Sequence, residues 1–374
     1  MATTELHATP TGARPVLVLG AGQIGQAIAL LLSDAGGYAL QVADRNLSSL
    51  QRVQALAGVA TVHVPDAAAL EAAVAGCHAV LNALPFHQAT AVATLCARLG
   101  VHYFDLTEDV ASTRAIRALA ANARSVLMPQ CGLAPGFIGI VGNDLARRFD
   151  TLHTLRMRVG ALPRYPQGAL RYNLTWSTEG LINEYCNPCE AIVDGVRTTV
   201  PALEGLETFA LDGVEYEAFN TSGGLGTLTE TLAGKARQVD YQSIRYPGHN
   251  AILKLLLNDL RLRDRRDLLK DILETAIPTT DQDVIVVFAT ASGLKGGRLV
   301  QDSYSAHIVG TEVAGHRLSA IQLTTAAGIC TALDLVAQGR LPQQGFVGQE
   351  AVALGDFLAN RFGSAYAREG DLVH

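Results

Sequence analysis

Two groups of residues in this sequence combine the side-chain types and the spacing that chemistry requires. In the first group, Gly20-Ala21-Gly22-Gln23-Ile24-Gly25 follows an aliphatic run at residues 16–19 and opens a segment whose apolar residues recur at helical spacing. Asp44 lies about 20 residues further on, at the end of the next aliphatic run. A glycine loop in this context is typical of a site that binds the pyrophosphate and a ribose of a dinucleotide.

The residues of the loop have separate roles in such a site. Gly20 permits a tight turn, Gly22 lets the backbone approach a pyrophosphate, and Gly25 lets the helix pack closely on the strand. Gln23 and Ile24 begin the helix, where free backbone N–H groups and the positive end of the helix dipole favour an anion. We therefore predict that all five residues bind the cofactor.

Residues at the ends of the following strands complete the predicted cofactor site. Asp44 can accept hydrogen bonds from ribose hydroxyls and would repel a 2′-phosphate, which favours NAD over NADP, although Arg45 could bind that phosphate. Asp66 could meet the adenine amine or could cap the next helix. The expected nicotinamide position lies beside four residues at the end of the fourth strand, which are Asn82, Ala83, Leu84 and Pro85.

The second group of chemically suggestive residues is the segment 241–249, Tyr241-Gln242-Ser243-Ile244-Arg245-Tyr246-Pro247-Gly248-His249. A guanidinium binds carboxylates in a bidentate manner, and an imidazole can act as a base near neutral pH. A structural salt bridge for Arg245 and a core position for His249 remain alternatives. Two further segments hold polar residues that are unusual for a purely structural domain, at residues 176–185 and 219–224.

The elements that must position these residues alternate along the first third of the chain. Short aliphatic strands are predicted at 16–19, 40–43, 61–64, 79–83, 101–104 and 125–128, and alanine-rich helices at 47–56, 67–75, 88–99 and 112–123. Strands separated by helices of this length pair in parallel through right-handed crossovers. The fold class is therefore α/β, with a Rossmann-type doubly wound parallel sheet.

The rest of the chain predicts a second, mixed α+β domain. Asp194-Gly195 lies between two short strands and indicates a hairpin, and residues 283–290 and 299–310 are expected to pair antiparallel. A long helix is predicted at 318–338 and a last helix at 352–362. The predicted organisation is a flexible tail (1–13), a dinucleotide-binding domain (14–135), a substrate and oligomerisation domain (136–317) and helices that return to the first domain (318–374).

Composition restricts the function classes. The 374 residues have a net charge of −6 and are 49% hydrophobic, which argues against a nucleic-acid-binding or a disordered protein. Polar residues interrupt the most apolar stretch, 318–336, so no transmembrane helix and no membrane partner are expected. No targeting signal is visible, and the six scattered cysteines indicate reduced thiols in a cytoplasmic protein without a metal site. A homodimer or higher homo-oligomer is expected, because the second sheet would otherwise expose its outer face.

The sequence resembles the saccharopine dehydrogenase-like oxidoreductases in the loop 20–25, Asp44, residues 82–85, Tyr103-Phe104-Asp105-Leu106 and Gly132-Leu133-Ala134-Pro135-Gly136. Within that group, residues 177–185, 218–224 and 244–249 are similar to NAD-dependent lysine 6-dehydrogenases. Saccharopine reductases usually carry Asp where this chain has Ala134. That departure argues for a smaller amine substrate than saccharopine.

The resemblance implies NAD-dependent oxidative deamination of the ε-amine of lysine, or of a similar basic amino acid. The products would be ammonia and 2-aminoadipate semialdehyde, which cyclises. Such a reaction needs a neutral amine and therefore a base, for which we predict His249, with Glu179 as the competing base or as a clamp for a substrate ammonium. Arg245 would anchor the α-carboxylate. The other predicted substrate contacts are Tyr246, Tyr185, Asn183 and Thr221.

Other functions remain open at the level of the sequence. A carboxynorspermidine-, opine- or saccharopine-type dehydrogenase would use the same fold to join or cleave an amine and a carbonyl compound. A cyclodeaminase would keep its NAD bound and release no net NADH. A redox-sensing or scaffold protein would bind the nucleotide without turnover and would not need Arg245 or His249.

Overall fold

The computed structural model of the protein describes residues 13–367. The predicted flexible tail, residues 1–13, lies outside the described residues except for its last position. Two large sheets follow one another along the described chain. They confirm the predicted α/β class with a second, mixed domain.

The first sheet is parallel throughout. Strands β1–β6 are Arg14–Leu19, Tyr38–Asp44, Ala60–His63, Ala79–Asn82, His102–Asp105 and Val126–Met128. Their spatial order is β6-β5-β4-β1-β2-β3, so the winding direction reverses between β4 and β1. In open α/β sheets, ligands bind beyond the carboxyl ends of the strands at this reversal. Both the glycine loop and residues 82–85 lie there.

Helices α1–α5 cover this sheet and are Gln23–Ala35, Leu47–Ala57, Ala67–Val74, Ala89–Leu99 and Val110–Ala120. Asn46, Asp66 and Asp109 cap three of them, since each side chain accepts a hydrogen bond from the backbone N–H three residues later. Along β1, Val16 and Val18 belong to one apolar cluster and Leu17 and Leu19 to another. The strands are therefore buried on both faces, which explains their uninterrupted aliphatic sequences.

The second sheet is mixed. Strands β7–β14 are Thr151–Pro163, Cys189–Val193, Val196–Val200, Glu207–Leu211, Val214–Asn220, Ala236–Arg245, Asp283–Lys295 and Arg298–Val309. The main order is β10-β11-β12-β7-β13-β14, with β12 and β7 parallel and the other neighbours antiparallel. Asp194 and Gly195 both have positive φ, the conformation of a two-residue hairpin turn, and join β8 to β9 as predicted.

Helices of the second domain lie beside this sheet. Helices α6–α10 are Phe137–Ala146, Thr178–Cys186, Leu228–Leu232, His249–Lys254 and Arg266–Ala276. Helices α7, α9 and α10 share one apolar cluster with Phe219 of β11. Ser177 caps α7 by accepting a hydrogen bond from Gly180 N. This packing fixes the position of the second group of polar residues.

The chain then returns to the first domain. Helix α11 (Ala320–Ala337) packs on α1, and a short strand, Gly345–Phe346, pairs in parallel with β6. Helix α11 is long and apolar enough to cross a membrane, but 78% of it is buried inside the protein, so it is a core helix. The last predicted helix, 352–362, is shorter in the structure, because α12 (Leu354–Ala359) ends where Asn360 becomes extended and its side chain bonds Asp334 and Phe362 N.

Candidate active site

A cavity of about 550 Å³ lies between the two domains, at the carboxyl ends of β1 and β4. The first domain contributes the glycine loop, the end of β4, the segment after β5 and the turn 132–135. The second domain contributes the loop before α7, one side of α7 and the carboxyl-terminal halves of β7 and β12. Its polar lining from the second domain is Thr175, Ser177, Glu179, Glu184, Tyr241, Ser243 and Arg245.

The glycine loop has the geometry of an anion site. Gly20 has a φ of +101°, and a Cβ at Gly25 would lie 1.8 Å from the carbonyl oxygen of Gly20, so neither position tolerates a side chain. A Cβ at Gly22 would meet nothing within 4 Å, so the backbone there is open to a ligand. No side chain caps the start of α1. Its first N–H groups, which include those of Gln23 and Ile24, are therefore not bonded by a capping side chain.

Asp44 lies against this loop. Its carboxylate accepts hydrogen bonds from Ala21 N at 2.7 Å and from Asn46 N at 2.8 Å. A carboxylate offers about four lone-pair sites, so Asp44 retains acceptors for a ribose. Arg45 is exposed beside it. These positions fit both predicted roles, with Asp44 as a ribose contact and Arg45 as a possible contact for a 2′-phosphate.

Five of the predicted cofactor residues do not line the cavity, namely Gly20, Asp44, Arg45, Asp66 and Asn82. The last two have structural tasks. Asp66 is exposed and caps α3 through Ala69 N, which was the alternative considered for it. Asn82 is buried, donates to the Tyr103 hydroxyl and accepts from Leu84 N, so it shapes the end of β4. The residues that it positions, Ala83, Leu84 and Pro85, line the cavity.

Arg245 is the cationic side chain of the cavity lining and is only 3% exposed. Its Nε donates to the Tyr185 hydroxyl at 2.8 Å, and its Nη1 donates to Ile244 O at 2.8 Å. Its Nη2 lies 3.6 Å from Glu184 Oε2. Because Arg245 is held on two sides by the protein, its remaining edge is directed at the cavity and at Glu184.

Three carboxyl groups surround the same cavity. Glu184 is partly buried, with 13% of its side chain exposed. Desolvation raises its pKa to about 7 in spite of the opposing effect of Arg245. Burial also raises the pKa of Glu108, and the negative charges of Asp109, Asp105 and Glu179 add to that effect. Glu179 lies in the first turn of α7 and is exposed. The cavity therefore carries an excess of acidic groups over its guanidinium.

His249 does not line the cavity, which corrects the prediction that it is the base. Its Nδ1 lies 3.0 Å from Leu170 O and its Nε2 lies 3.0 Å from the Tyr185 hydroxyl. The ring is 1% exposed. Burial, together with the charge of Arg245, lowers the pKa of His249 to about 3. A ring with both nitrogens engaged and no contact with the cavity cannot take a proton directly from a substrate there.

Four predicted substrate contacts also lie outside the cavity lining, for a common reason. The side-chain oxygen of each one is already bonded inside the protein. The Tyr246 hydroxyl donates to Pro163 O, and Thr221 Oγ1 pairs with Ser243 Oγ. Asn183 Oδ1 accepts from Arg266 Nη1. The Tyr185 hydroxyl accepts a hydrogen bond from Arg245 Nε, so Tyr185 contacts Arg245 without lining the cavity itself.

Several lining residues escaped the sequence analysis. Glu184 belongs to the polar segment 176–185, but no role was predicted for it, because it is five positions after Glu179 and this spacing does not repeat on one face of an ideal helix. Glu108 follows the carboxyl end of β5, and the rule that parallel strands present ligand-binding residues at their carboxyl ends could have found it. Tyr241 and Ser243 belong to the polar segment 241–249, but no role was predicted for either of them; both line the cavity from β12.

In the described part of the chain, residues 13–367, no group of three or more His, Cys, Asp or Glu side chains is arranged to hold a metal ion. The cysteines are free thiols. Cys186 and Cys189 lie at the end of α7 and the start of β8, away from the cavity lining.

Comparison with known proteins gives two family matches that follow each other along the chain. Residues 16–128 match the model described as saccharopine dehydrogenase NADP binding domain, and residues 132–362 match the saccharopine dehydrogenase C-terminal domain. The structure is similar to saccharopine dehydrogenase (L-Glu forming) from Saccharomyces cerevisiae, with 16% identity and a TM-score of 0.75 over 94% of this chain and 96% of that chain.

Two further solved structures are more distant. A probable dehydrogenase from Thermotoga maritima has 12% identity and a TM-score of 0.46, over 94% of this chain and 95% of that one. An engineered D-amino acid dehydrogenase bound to NADP+ has 14% identity and a TM-score of 0.47, over 91% of this chain and 94% of that one.

Proposed function

Since the chain belongs to the saccharopine dehydrogenase family of NAD(P)-binding oxidoreductases, we propose that it is an NAD-dependent dehydrogenase that deaminates the ε-amine of lysine or of a similar basic amino acid. The observation that carries this proposal is the charge of the cavity. One buried guanidinium, Arg245, faces a space that is also lined by Glu108, Glu179 and Glu184.

This set of charges complements a basic amino acid. Lysine has one carboxylate for Arg245 and two ammonium groups for the carboxylates, and each pairing is a charge-assisted hydrogen bond. A conjugate of an amino acid with a keto acid carries an additional carboxylate. That group would meet acidic side chains in a partly desolvated space, where like charges repel strongly. The cavity therefore favours the smaller, more basic substrate.

The cofactor site fits a dinucleotide. Gly22 is open to a pyrophosphate, the uncapped start of α1 would bind its charge, and Ala83, Leu84 and Pro85 would flank the nicotinamide. When bound, the oxidised dinucleotide accepts a hydride from the substrate carbon. We propose NAD as this cofactor, because the carboxylate of Asp44 would repel a 2′-phosphate.

We assign the role of base to Glu184. A bound ammonium cannot donate electrons to the breaking C–H bond, so it must first lose a proton. A carboxylate with a pKa of about 7 can take that proton near neutral pH. Because Glu184 lies 3.6 Å from the proposed carboxylate anchor, this role requires the lysine side chain to fold back and bring its ε-nitrogen to Glu184. The ionised form is the active one, so activity should rise with pH through this pKa.

The remaining steps balance without another reactant than water. Loss of one proton from the ammonium and of the hydride from the ε-carbon leaves a protonated imine at that carbon. Water adds to this carbon, ammonia leaves, and the aldehyde that remains can cyclise with the α-amine. Arg245 would hold the α-carboxylate throughout, so that the ε-carbon is the one presented for oxidation.

A substrate panel tests the proposal. The wild-type protein with NAD and with NADP is mixed in turn with lysine, ornithine, cadaverine and neutral amino acids, and both reduced cofactor and ammonia are measured. We expect the highest kcat/KM for lysine or its closest homologue, with equal amounts of the two products. Turnover only in the reverse direction, when an amine and a keto acid are supplied together with reduced cofactor, would instead identify a condensing dehydrogenase.

A further inference from the structure

His249 does not line the cavity, but it belongs to a chain of hydrogen bonds that ends at Arg245. The chain runs from Leu170 O to His249 Nδ1 at 3.0 Å, from His249 Nε2 to the Tyr185 hydroxyl at 3.0 Å, and from Tyr185 to Arg245 Nε at 2.8 Å. Its members come from three separate parts of the second domain: the loop before α7, α7 itself, and the junction of β12 with α9. All three side chains are 3% exposed or less.

The direction of each bond follows from the groups involved. A carbonyl oxygen can only accept a hydrogen bond, so Nδ1 of His249 must be protonated and donate to Leu170 O. In the neutral ring Nε2 is then an acceptor, and the Tyr185 hydroxyl must donate to it. The phenol oxygen is left to accept from Nε of Arg245, which can only donate. These three hydrogen bonds are therefore compatible with only one neutral tautomer of His249, the one protonated on Nδ1.

Aromatic rings enclose the same chain and leave it little freedom. The ring of Phe219 is nearly parallel to that of His249, with a centroid separation of 6.3 Å, and Tyr172 meets His249 edge-on at 5.3 Å. The Arg245 guanidinium lies over the ring of Tyr172 at 5.1 Å from its centroid. With Nε fixed by Tyr185, rotation of the guanidinium about its long axis is blocked.

We propose that His249 is a positioning residue, which fixes the carboxylate-binding edge of Arg245 through Tyr185 and ties the loop before α7 to the same point through Leu170. This inference rests on the proposed function, because it takes Arg245 as the anchor of a substrate carboxylate. It predicts that His249 affects recognition of the carboxylate and does not transfer protons in the reaction.

Two conservative variants separate the two hydrogen bonds of the ring. In His249→Gln the side-chain amide reaches about the position of Nε2 and can still accept from Tyr185. In His249→Asn the amide lies about where Nδ1 does, so the bond to Leu170 can remain while the bond to Tyr185 is lost. Tyr185→Phe removes this bond and also the bond that Tyr185 accepts from Arg245 Nε, so it serves as the positive control for loss of the whole link.

The assay compares lysine with cadaverine, which has the same amines and no carboxylate. For His249→Asn and Tyr185→Phe we expect KM for lysine to rise about tenfold, as for one weakened bond to a charged group, with kcat and the pH profile near those of the wild type. Their kcat/KM for cadaverine should not change, and His249→Gln should lie closer to the wild type. A fall in kcat with both substrates and a changed pH profile would overturn the proposal.

A measurement that does not depend on turnover keeps this inference separate from the proposed function. Heteronuclear NMR of the imidazole nitrogens, assigned with the His249→Asn variant, should show a neutral ring protonated on Nδ1 throughout the neutral pH range. A ring that titrates near neutrality, or that carries its proton on Nε2, would refute the inference. If the NMR result holds but the wild type oxidises neither amine, then the proposed function is wrong and the hydrogen-bond chain stands.

Discussion

Replacement of Glu184 by glutamine removes the cavity group whose pKa, at about 7, suits proton transfer near neutral pH. The glutamine keeps the size and the hydrogen-bonding capacity of the side chain but cannot accept a proton. General bases contribute about 10²- to 10⁴-fold to the rate, so we expect kcat for lysine to fall within that range. The rise of kcat/KM with pH that Glu184 causes should disappear.

A second variant should raise the pKa of Glu184 and so shift the pH profile of the reaction. In the wild type, the positive charge of Arg245 lies 3.6 Å from Glu184 and lowers the pKa of Glu184. Arg245→Gln removes this charge and should therefore raise that pKa. At an effective dielectric constant of about 20 this pair interacts by at most about 4–5 kcal/mol, equivalent to roughly three pH units. Water in the cavity reduces the effect, and we expect a shift of at least about one unit. Because only the ionised base works, the rise in activity should move to higher pH.

The assay is the pH profile of kcat/KM for lysine in the wild type and in both variants. Glu204→Gln is the control, since Glu204 pairs with Lys254 outside this cavity and is half-exposed. Thermal unfolding of each variant shows whether the fold is retained. If Glu184→Gln keeps the wild-type profile, or if Arg245→Gln shifts it to lower pH, the assignment of the base is wrong.

Further predictions concern single positions. Asp44→Ala should reduce the preference for NAD over NADP, measured as a ratio of kcat/KM values, by about tenfold or more; an unchanged ratio contradicts the ribose contact. Gly22→Ala should keep the Tm of the wild type but weaken cofactor binding, whereas Gly25→Ala should lower Tm because its Cβ would lie 1.8 Å from a backbone oxygen; equal Tm values would contradict this. Glu108→Gln should raise KM for lysine about tenfold, and an unchanged KM would exclude it from substrate recognition. Tyr246→Phe should leave KM for lysine unchanged and cost about 1 kcal/mol of unfolding free energy, measured with denaturant; a raised KM would restore it as a substrate contact.

The cofactor loop could be read from the sequence because its requirements are local. Gly20 and Gly25 are needed by backbone geometry within six consecutive residues, and Asp44 follows at the end of the adjacent strand. The hairpin at Asp194-Gly195 is a similar case, since both residues adopt the positive φ that the turn demands. In each case the chain itself brings the residues together.

The substrate side of the cavity could not be read in the same way. Arg245 was identified by its chemistry, but the residues that neighbour it come from distant segments. His249 looked like a base in sequence, and only the fold shows that Leu170 and Tyr185 occupy both of its ring nitrogens. The pKa of Glu184 depends on burial, which no local pattern encodes.

Transfer of label from specifically deuterated lysine tests the central claim most directly. The wild-type protein is incubated with NAD and lysine that carries deuterium either on the ε-carbon or on the α-carbon, and the reduced nicotinamide is analysed by mass spectrometry. The proposed reaction, in which Arg245 holds the α-carboxylate and the ε-amine is oxidised, predicts deuterium in the reduced cofactor from the ε-labelled substrate alone. Transfer from the α-carbon, or no transfer from either, would contradict it.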